Sequence, residues 1–374
     1  MSGDARSAAA LFDPDRLRLA RQLAGFKRSK LAELVGLSAA AVSQFEGGSA
    51  KPRASTLAEI ALRLGMPVSF FASTGRQLLT LPSEQTFFRS LRRTSQVDRE
   101  KATAYAVLLA ELVRVIESKV RLPAYDVPSD LIVSADQPPE EVEAVADHLR
   151  DLWDLGHEPI TNAVRLLERH GIIVARLPLL SGDVDAFSSS LPKRPVVILG
   201  ADKGVRERSR RDALHELGHL VMHHVDPEAA SAPLERQAER FASAMLVPAT
   251  ALREEWPGGR RIDWPKLVTL KSRWGMSLGA LIYRARELEL ITPTNYESAV
   301  KYMSRRGWRV REPGPAGPPE EPKLLGDAIR LLGENAVDLQ QLLESDGLPP
   351  AELLMTMLRI EETPARKPLV AVAG

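Results

Sequence analysis

Residues 211–224 read RDALHELGHLVMHH, with His215 and His219 four apart and Glu216 directly after the first histidine. On a helix each residue turns about 100°, so His219 falls at roughly 40° from His215 and His223 at roughly 80°. The first two imidazoles then face one point, one turn apart, as a shared divalent ion requires. Glu216 falls at roughly 100°, beside them rather than among them, where a carboxylate can take a proton from water. Two imidazoles holding an ion and a glutamate activating water for attack on a carbonyl are the physical content of H-E-x-x-H. The alternative is a surface helix carrying several histidines, because five residues with two free positions also arise by chance. His223 continues the same face, either as a neighbour of the ligands or substrate or as a packed histidine. His224 points elsewhere and is expected at the surface.

A third ligand has to come from histidine or a carboxylate, because the chain has no cysteine. The longer H-E-x-x-H-x-x-G-x-x-H form is excluded, since Met222 and Val225 occupy its glycine and last histidine positions. The next helical segment, LERQAERFASAMLVP, offers Glu235. Leu234, Ala238, Phe241, Ala242, Met245 and Leu246 form an apolar arc, and Glu235 falls inside it. A carboxylate there is costly to bury unless it binds a cation or a partner. Glu239, at roughly 40° from Glu235, sits on the arc's edge. It is the reserve ligand, a neighbour of the ligands, or a solvated glutamate. Two histidines and one glutamate leave a fourth position for water, as catalytic rather than structural zinc sites do. Leu214, Leu217, Gly218 and Val221 suit a packed helix, with Gly218 admitting a close second backbone.

These residues must be positioned by a chain of 374 residues, long enough for two or three domains. The net charge of +1 carries no global field toward nucleic acid or membrane, but the charge is uneven. Residues 1–75 hold ten Lys or Arg against six Asp or Glu, and residues 315–374 hold five against ten. A basic N-terminal region permits a polyanionic partner. No run of about 18 apolar residues and no hydrophobic leader core is present, so a cytoplasmic location without membrane contact is expected.

Patterning predicts a fold that is mostly α with a small β-sheet (α+β). Residues 14–74 are helical with Gly-containing turns, and 98–121 form a long amphipathic helix that packs on the domain carrying the His-rich helix or pairs two chains. Helices over PEEVEAVADHLRDLWDLG and ITNAVRLLERHG lead into β-branched strands, IIVARL (172–177) and PVVIL (195–199). The His-rich helix starts near Arg206, another spans about 233–246 and stops before Pro248, and more helices cover 264–289. EPGPAGPPEEP (312–322) is a linker by composition, ahead of an acidic helical segment and a loose tail. That acidic segment packs as helices or acts as an autoinhibitory mimic of substrate.

The ordered blocks DAFS (185–188), RPVVIL (194–199), HELGHLVMH (215–223), ERQAERFASAMLVP (235–248) and GWRVREP (307–313) resemble the ImmA/IrrE metallopeptidases over about 125–313. The resemblance implies a gluzincin-like minimal protease fold with zinc, or manganese. It assigns His215, His219 and Glu235 as ligands and Glu216 as the catalytic glutamate. The block often read E-x-E-A has Gln237 at its second acidic place, leaving Glu235 the only acidic candidate in that tetrad. Family members of known role cleave helix-turn-helix repressors, so a protein substrate, a separate regulatory protein or this chain itself, is implied. TFFRSLRR (86–93) resembles the HFR-type sequence found ahead of the linking helix in such architectures.

The N-terminal residues carry a second pattern. LAELVGLSAAAVSQFE reads as a helix, a turn at Gly36 and a second helix capped by Ser38. Val42 and Phe45 face a core made with Leu31, Ala32, Leu37, Leu57, Ile60 and Leu64, while Leu17, Ala20 and Leu23 form one face of the preceding helix. With E-x-G-x-x-x-P at 46–52, this resembles the XRE/Cro-type helix-turn-helix family, whose second helix enters the major groove of double-stranded DNA. The resemblance places Ser38, Ala39, Ala40, Ser43 and Gln44 toward base edges, Gln44 suited to adenine and the alanines to thymine methyls. Arg28, Lys27, Lys51 and Arg53 lie toward phosphate. Such domains read two half-sites, so a homodimer on an operator is expected.

The boundaries expected are a helix-turn-helix domain over 1–75, a linking segment over 76–124, a metallopeptidase domain over 125–313 and a C-terminal segment over 314–374. The function expected is a DNA-binding regulator with a zinc-dependent endopeptidase that cuts a regulatory protein. Two alternatives stand beside it: a transcription factor whose metal unit senses a ligand without proteolysis, and a peptidase whose N-terminal unit recognises a protein.

Overall fold

A computed structural model describes residues 2–79, 86–87, 95–177, 186–189, 194–201, 205–223, 231–258, 262–315 and 317–361. His224, most of TFFRSLRR and the tail beyond 361 lie outside the described residues. The fold is mostly α with a small sheet.

The N-terminal unit consists of α1 (Ser2–Ala10), α2 (Pro14–Leu23), α3 (Arg28–Val35), α4 (Ala39–Glu46), α5 (Ala54–Leu64) and a 3₁₀ turn at Val68–Phe71. Sequence punctuation accounts for its turns. Asp13 caps α2 by accepting the Asp15 amide at 2.9 Å, with Pro14 at the first helical position. Gly36 ends α3 at φ +68°, a left-handed conformation that a side chain would strain. Ser38 then caps α4 by accepting the Ala41 amide at 3.1 Å. Leu31, Ala32, Val42, Phe45, Leu57, Ile60 and Leu64 are buried as patterned, and Leu37 is half-buried. Helix α1 was not legible, because its buried contacts, Ala5 and Ala8, are too small to mark a face.

The linking helix α6 (Gln96–Glu117) starts at a Ser95 cap and is buried almost all round, from Ala102 to Ile116. It packs on α2 and has no single seam: Ala104, Tyr105, Leu108 and Val115 are as enclosed as the patterned Leu109, Leu112 and Ile116. Within the chain, its main packing partner is α2 of the N-terminal unit rather than the unit carrying the His-rich helix, whose sheet it meets more lightly.

Next come α7 (Pro139–Leu152), α8 (Ala163–Arg169), β2 (Ile173–Leu177), β3 (Ala186–Ser189) and β4 (Val196–Gly200), with a two-residue β1 at Thr86–Phe87. The sheet order is β1-β3-β4-β2; β2 runs parallel to β4 and β3 antiparallel to it. Both faces are covered, which is why β2 and β4 read as unbroken β-branched runs rather than alternating ones. Then follow α9 (Arg206–Met222), α10 (Ala232–Leu246), α11 (Ala249–Glu255), α12 (Trp264–Trp274), α13 (Leu278–Glu287) and α14 (Pro293–Arg305). The chain closes with α15 (Leu324–Glu334), α16 (Leu339–Ser345) and α17 (Ala351–Leu358).

Within 312–322, a linker by composition, Glu312 and Glu320 are packed rather than free. The Glu312 carboxylate accepts the Leu278 and Gly279 amides at the start of α13, at 2.9 and 3.1 Å. Glu320, 7% exposed, accepts the Ala163 amide at the start of α8 at 2.7 Å and pairs with buried Arg210 at 2.9 Å. Composition was misleading because two carboxylates among the prolines meet helix N-termini, where negative charge is favourable. The helices after this strap pack on α6 and β2.

Candidate metal centre and nucleic-acid interface

Helices α9 and α10 pack closely because Gly218 has no side chain: a Cβ there would lie 3.0 Å from the Phe241 ring and 3.4 Å from the Ala238 Cα. Farther along, buried Arg284 donates to the Val247 carbonyl at 2.6 Å and pairs with Glu143 of α7 at 2.9 Å, holding the end of α10. This clamp sets Glu235 opposite the two histidines.

Donor atoms of three residues converge. His215 Nε2 lies 3.2 Å from His219 Nε2 and 3.3 Å from Glu235 Oε2, and His219 Nε2 lies 3.4 Å from the other Glu235 oxygen, Oε1. A tetrahedral ion with ligand distances of about 2.0–2.1 Å has ligand–ligand edges of about 3.3–3.4 Å. The two imidazoles are at such an edge, each imidazole is that far from its nearer Glu235 oxygen, and one atom from each residue lies within 4.8 Å of the others, so a small shift of the carboxylate lets the residues hold a divalent ion. His219 is 3% exposed, whereas the His215 and Glu235 side chains keep 16% and 14%, so solvent reaches the cluster from their side.

Glu216 stands outside this trio, buried, and accepts a hydrogen bond from the Ser188 hydroxyl at 2.7 Å. Ser188 reaches it because the β3 pleat puts Ser188 on the same face as Ala186, toward α9, and Phe187 on the other. Burial pushes the Glu216 carboxyl up to about 7, against the opposing pull of His215 and the Ser188 bond. Burial also raises Glu235, but hydrogen bonds from His215 and His219 outweigh it and hold that carboxyl well below its usual range. For His215, burial lowers the affinity for a proton, and the Glu235 bond with the charges of Glu216 and Glu239 reverse the direction to a net rise.

His223, fully buried, is held by His219 Nδ1 at 3.0 Å and by Gln237 Oε1 at 3.1 Å. Burial, then the neighbouring His219, pulls it down to about 3. Glu239 is placed apart from the trio. It is exposed, lies 3.6 Å from Arg211, and lines with Arg211, Arg236, Arg240 and Tyr283 a groove of about 480 Å³. Ser188 and Gln237 had no role in the sequence reading. Ser188 was readable only as a small polar residue within the DAFS block, and Gln237 only as a departure from an acidic pattern.

On the N-terminal unit, Ser38, Ala39, Ala40, Ser43 and Gln44 are all exposed along the start and outer face of α4. The Ser38 oxygen is used by the cap, which leaves its hydroxyl proton to donate. Lys51 and Arg53 are exposed, with Lys51 donating to the Ala10 carbonyl at 3.2 Å. Arg28 is half exposed but bonded to the buried Glu46 carboxylate at 2.7 Å, so part of its charge is spent inside the protein. Glu46 also pairs with buried Arg21. No helix among the described residues is long and apolar enough to cross a membrane.

Comparison with known families matches residues 17–71 to the helix-turn-helix model and residues 167–286 to the IrrE N-terminal-like domain model of the peptidase M78 family. The second match contains His215, Glu216, His219 and Glu235 and is narrower than the 125–313 span of the motif blocks. No curated protein matches the chain. In chain order, this protein therefore carries an XRE-type helix-turn-helix unit of DNA-binding regulators followed by an IrrE/ImmA-like peptidase unit.

Proposed function

We propose that the chain is a DNA-binding transcriptional regulator whose second unit is a zinc-dependent endopeptidase acting on a regulatory protein. The observation that carries this is the convergence of His215, His219 and Glu235, one donor atom from each within 4.8 Å of the others, with Glu216 beside them and solvent open to one side. His215, His219 and Glu235 would hold the ion, and two imidazoles with one carboxylate suit zinc first and manganese second. When bound, the ion supplies a Lewis acid that polarises a scissile carbonyl and acidifies water.

The chain's own residues do the rest. Ser188 holds one Glu216 oxygen and leaves the other to take a proton from the attacking water and deliver it to the leaving amine. A carboxyl near 7 can do both close to neutral pH. The exposed face of α4 is free to enter a major groove, and Arg53 and Lys51 can meet phosphates. A helix-turn-helix repressor, or this chain itself, is the substrate class we infer, and a homodimer on a two-half-site operator is the DNA-bound form. In the second reading the metal unit senses a ligand without cutting; the buried, Ser188-oriented Glu216 argues against it, since sensing requires no general base.

The test uses full-length protein purified without chelator. His219→Ala should lose about one equivalent of metal per chain, and unchanged metal content would remove the site. Glu216→Gln should keep the metal and lose cleavage of helix-turn-helix repressors encoded beside it. Cleavage that survives in Glu216→Gln removes Glu216 as the base. A wild-type protein that binds metal and DNA but cuts none of them supports the sensing reading.

A further inference from the structure

We propose that Gln237 is a positioning residue for the centre, acting through His223 to decide which nitrogen of His219 carries its proton. This rests on the reading of His219 as a metal ligand. The argument is one of donors and acceptors, and it starts outside the centre.

The Ser134 carbonyl oxygen can only accept, and Gln237 Nε2 lies 2.8 Å from it, so the amide nitrogen faces Ser134. That fixes the amide oxygen toward His223 Nε2, 3.1 Å away. The reversed amide would set two oxygens against each other at the Ser134 end. An amide oxygen only accepts as well, so His223 carries its proton on Nε2. A neutral His223 then presents a bare Nδ1 to His219 Nδ1 at 3.0 Å, and His219 must donate there. With its proton on Nδ1, His219 can offer the Nε2 lone pair to an ion held with His215 Nε2 and Glu235, whereas without the ion Nε2 takes a second proton to meet the Glu235 carboxylate. A backbone carbonyl two side chains away thus sets the tautomer that ligation needs.

The same reasoning explains why glutamine stands where an acidic residue is common. A carboxylate at 237 would still accept from His223 Nε2 but would put an oxygen 2.8 Å from the Ser134 carbonyl, acceptor against acceptor, so the side chain would swing off that anchor and loosen its hold on His223.

Two measurements on the full chain test this. The first reads imidazole ¹⁵N shifts in metal-free, ¹⁵N-histidine-labelled wild type. The expected states are Nε2–H alone for His223 and a proton on Nδ1 of His219. An Nδ1–H on His223 overturns the proposal. The second is competition of bound zinc against a chromophoric chelator. Gln237→Glu and Gln237→Leu should each weaken zinc binding by about 10–100-fold, the usual cost of losing a partner behind a ligating histidine. In Gln237→Leu, which removes the acceptor, His223 should show mixed tautomers, whereas in Gln237→Glu it should keep Nε2–H. Wild-type affinity in both variants overturns the proposal even if the tautomers are as expected. If Gln237→Leu fails to fold, the near-isosteric Gln237→Glu and the wild-type tautomers still decide it. A wild type with these tautomers that binds no zinc fails the metal reading instead, and with it any positioning role.

Discussion

Truncating Glu320 should unseat the metal unit from a position about one hundred residues away in sequence from the residues it supports. Its side chain is 6% exposed and serves three donors: the amides of Ala163 and Val164 at 2.7 and 3.2 Å, and Arg210 Nη1 at 2.9 Å. Arg210 is itself buried and lies on α9, five positions before His215. Burial lowers its hold on its proton and Glu320 restores part of it. Glu320→Ala leaves that guanidinium with only the Ile160 and Thr161 carbonyls. Removing one partner of a buried pair costs about 3–5 kcal/mol, and unpairing the start of a helix adds about 1 kcal/mol.

Glu320→Gln keeps one acceptor oxygen for the Ala163 and Val164 amides but loses the charge and the second acceptor toward Arg210, so about 1–3 kcal/mol is expected. Adding Arg210→Met to Glu320→Ala should recover about 2 kcal/mol, because the stranded charge goes with it. Urea unfolding of the metal-free chain, followed by fluorescence of Trp153 and Trp274 in the core around α9 and α10, measures all three. Hydrogen exchange at the Ala163 and Val164 amides reports the local loss. A Glu320→Ala midpoint within about 1 kcal/mol of wild type, or glutamine as costly as alanine, would refute the reasoning.

Gly218→Val should cost about 1–3 kcal/mol and lower zinc stoichiometry, because the added carbons meet Phe241 and Ala238 and push α10, with Glu235, away from the histidines; circular dichroism melts and metal analysis check it. Arg53→Ala should weaken operator binding about equally for all sequences and reduce the salt slope by about 1, whereas Gln44→Ala should cost about 1–3 kcal/mol at one base pair only. Gel-shift titrations at several salt concentrations separate the two.

What the sequence made legible were features with local periodicity. His215 and His219 are four apart on one helix, and Glu235 breaks an apolar arc, so each could be placed without knowing the fold. Val196–Leu199 and Ile173–Val174 announced strands by β-branching alone. What stayed hidden depends on which distant segment arrives. Glu320 looks like a linker residue until Arg210 and the start of α8 are beside it. Gln237 gains meaning only with Ser134, about a hundred residues earlier. Ser188 matters because β3 pairs with β4 in a register that sets Ser188 opposite Val197.

The sheet also explains why the chain continues past the peptidase unit. Ile172, Val174, Val197, Leu199 and Ala186 belong to the apolar core around α9 and α10. Their alternate neighbours Ile173, Ala175, Leu177, Val196, Ile198 and Phe187 belong to another core. That second core is continuous with α6, with α15–α17 and with Leu17, Leu31 and Val42 of the DNA-binding unit. A three-residue-deep apolar face on β2 cannot be left in water, so α6 and the C-terminal helices are required to cover it. Arg16 of α2 fastens the cover by donating to the Phe70, Asp346 and Gly347 carbonyls. The sheet that orients Glu216 through Ser188 on one side therefore rests, on the other, against the core of the helix-turn-helix unit. The DNA-reading and metal-binding units are joined by packed side chains, so a shift of α6 against β4 would be felt by both.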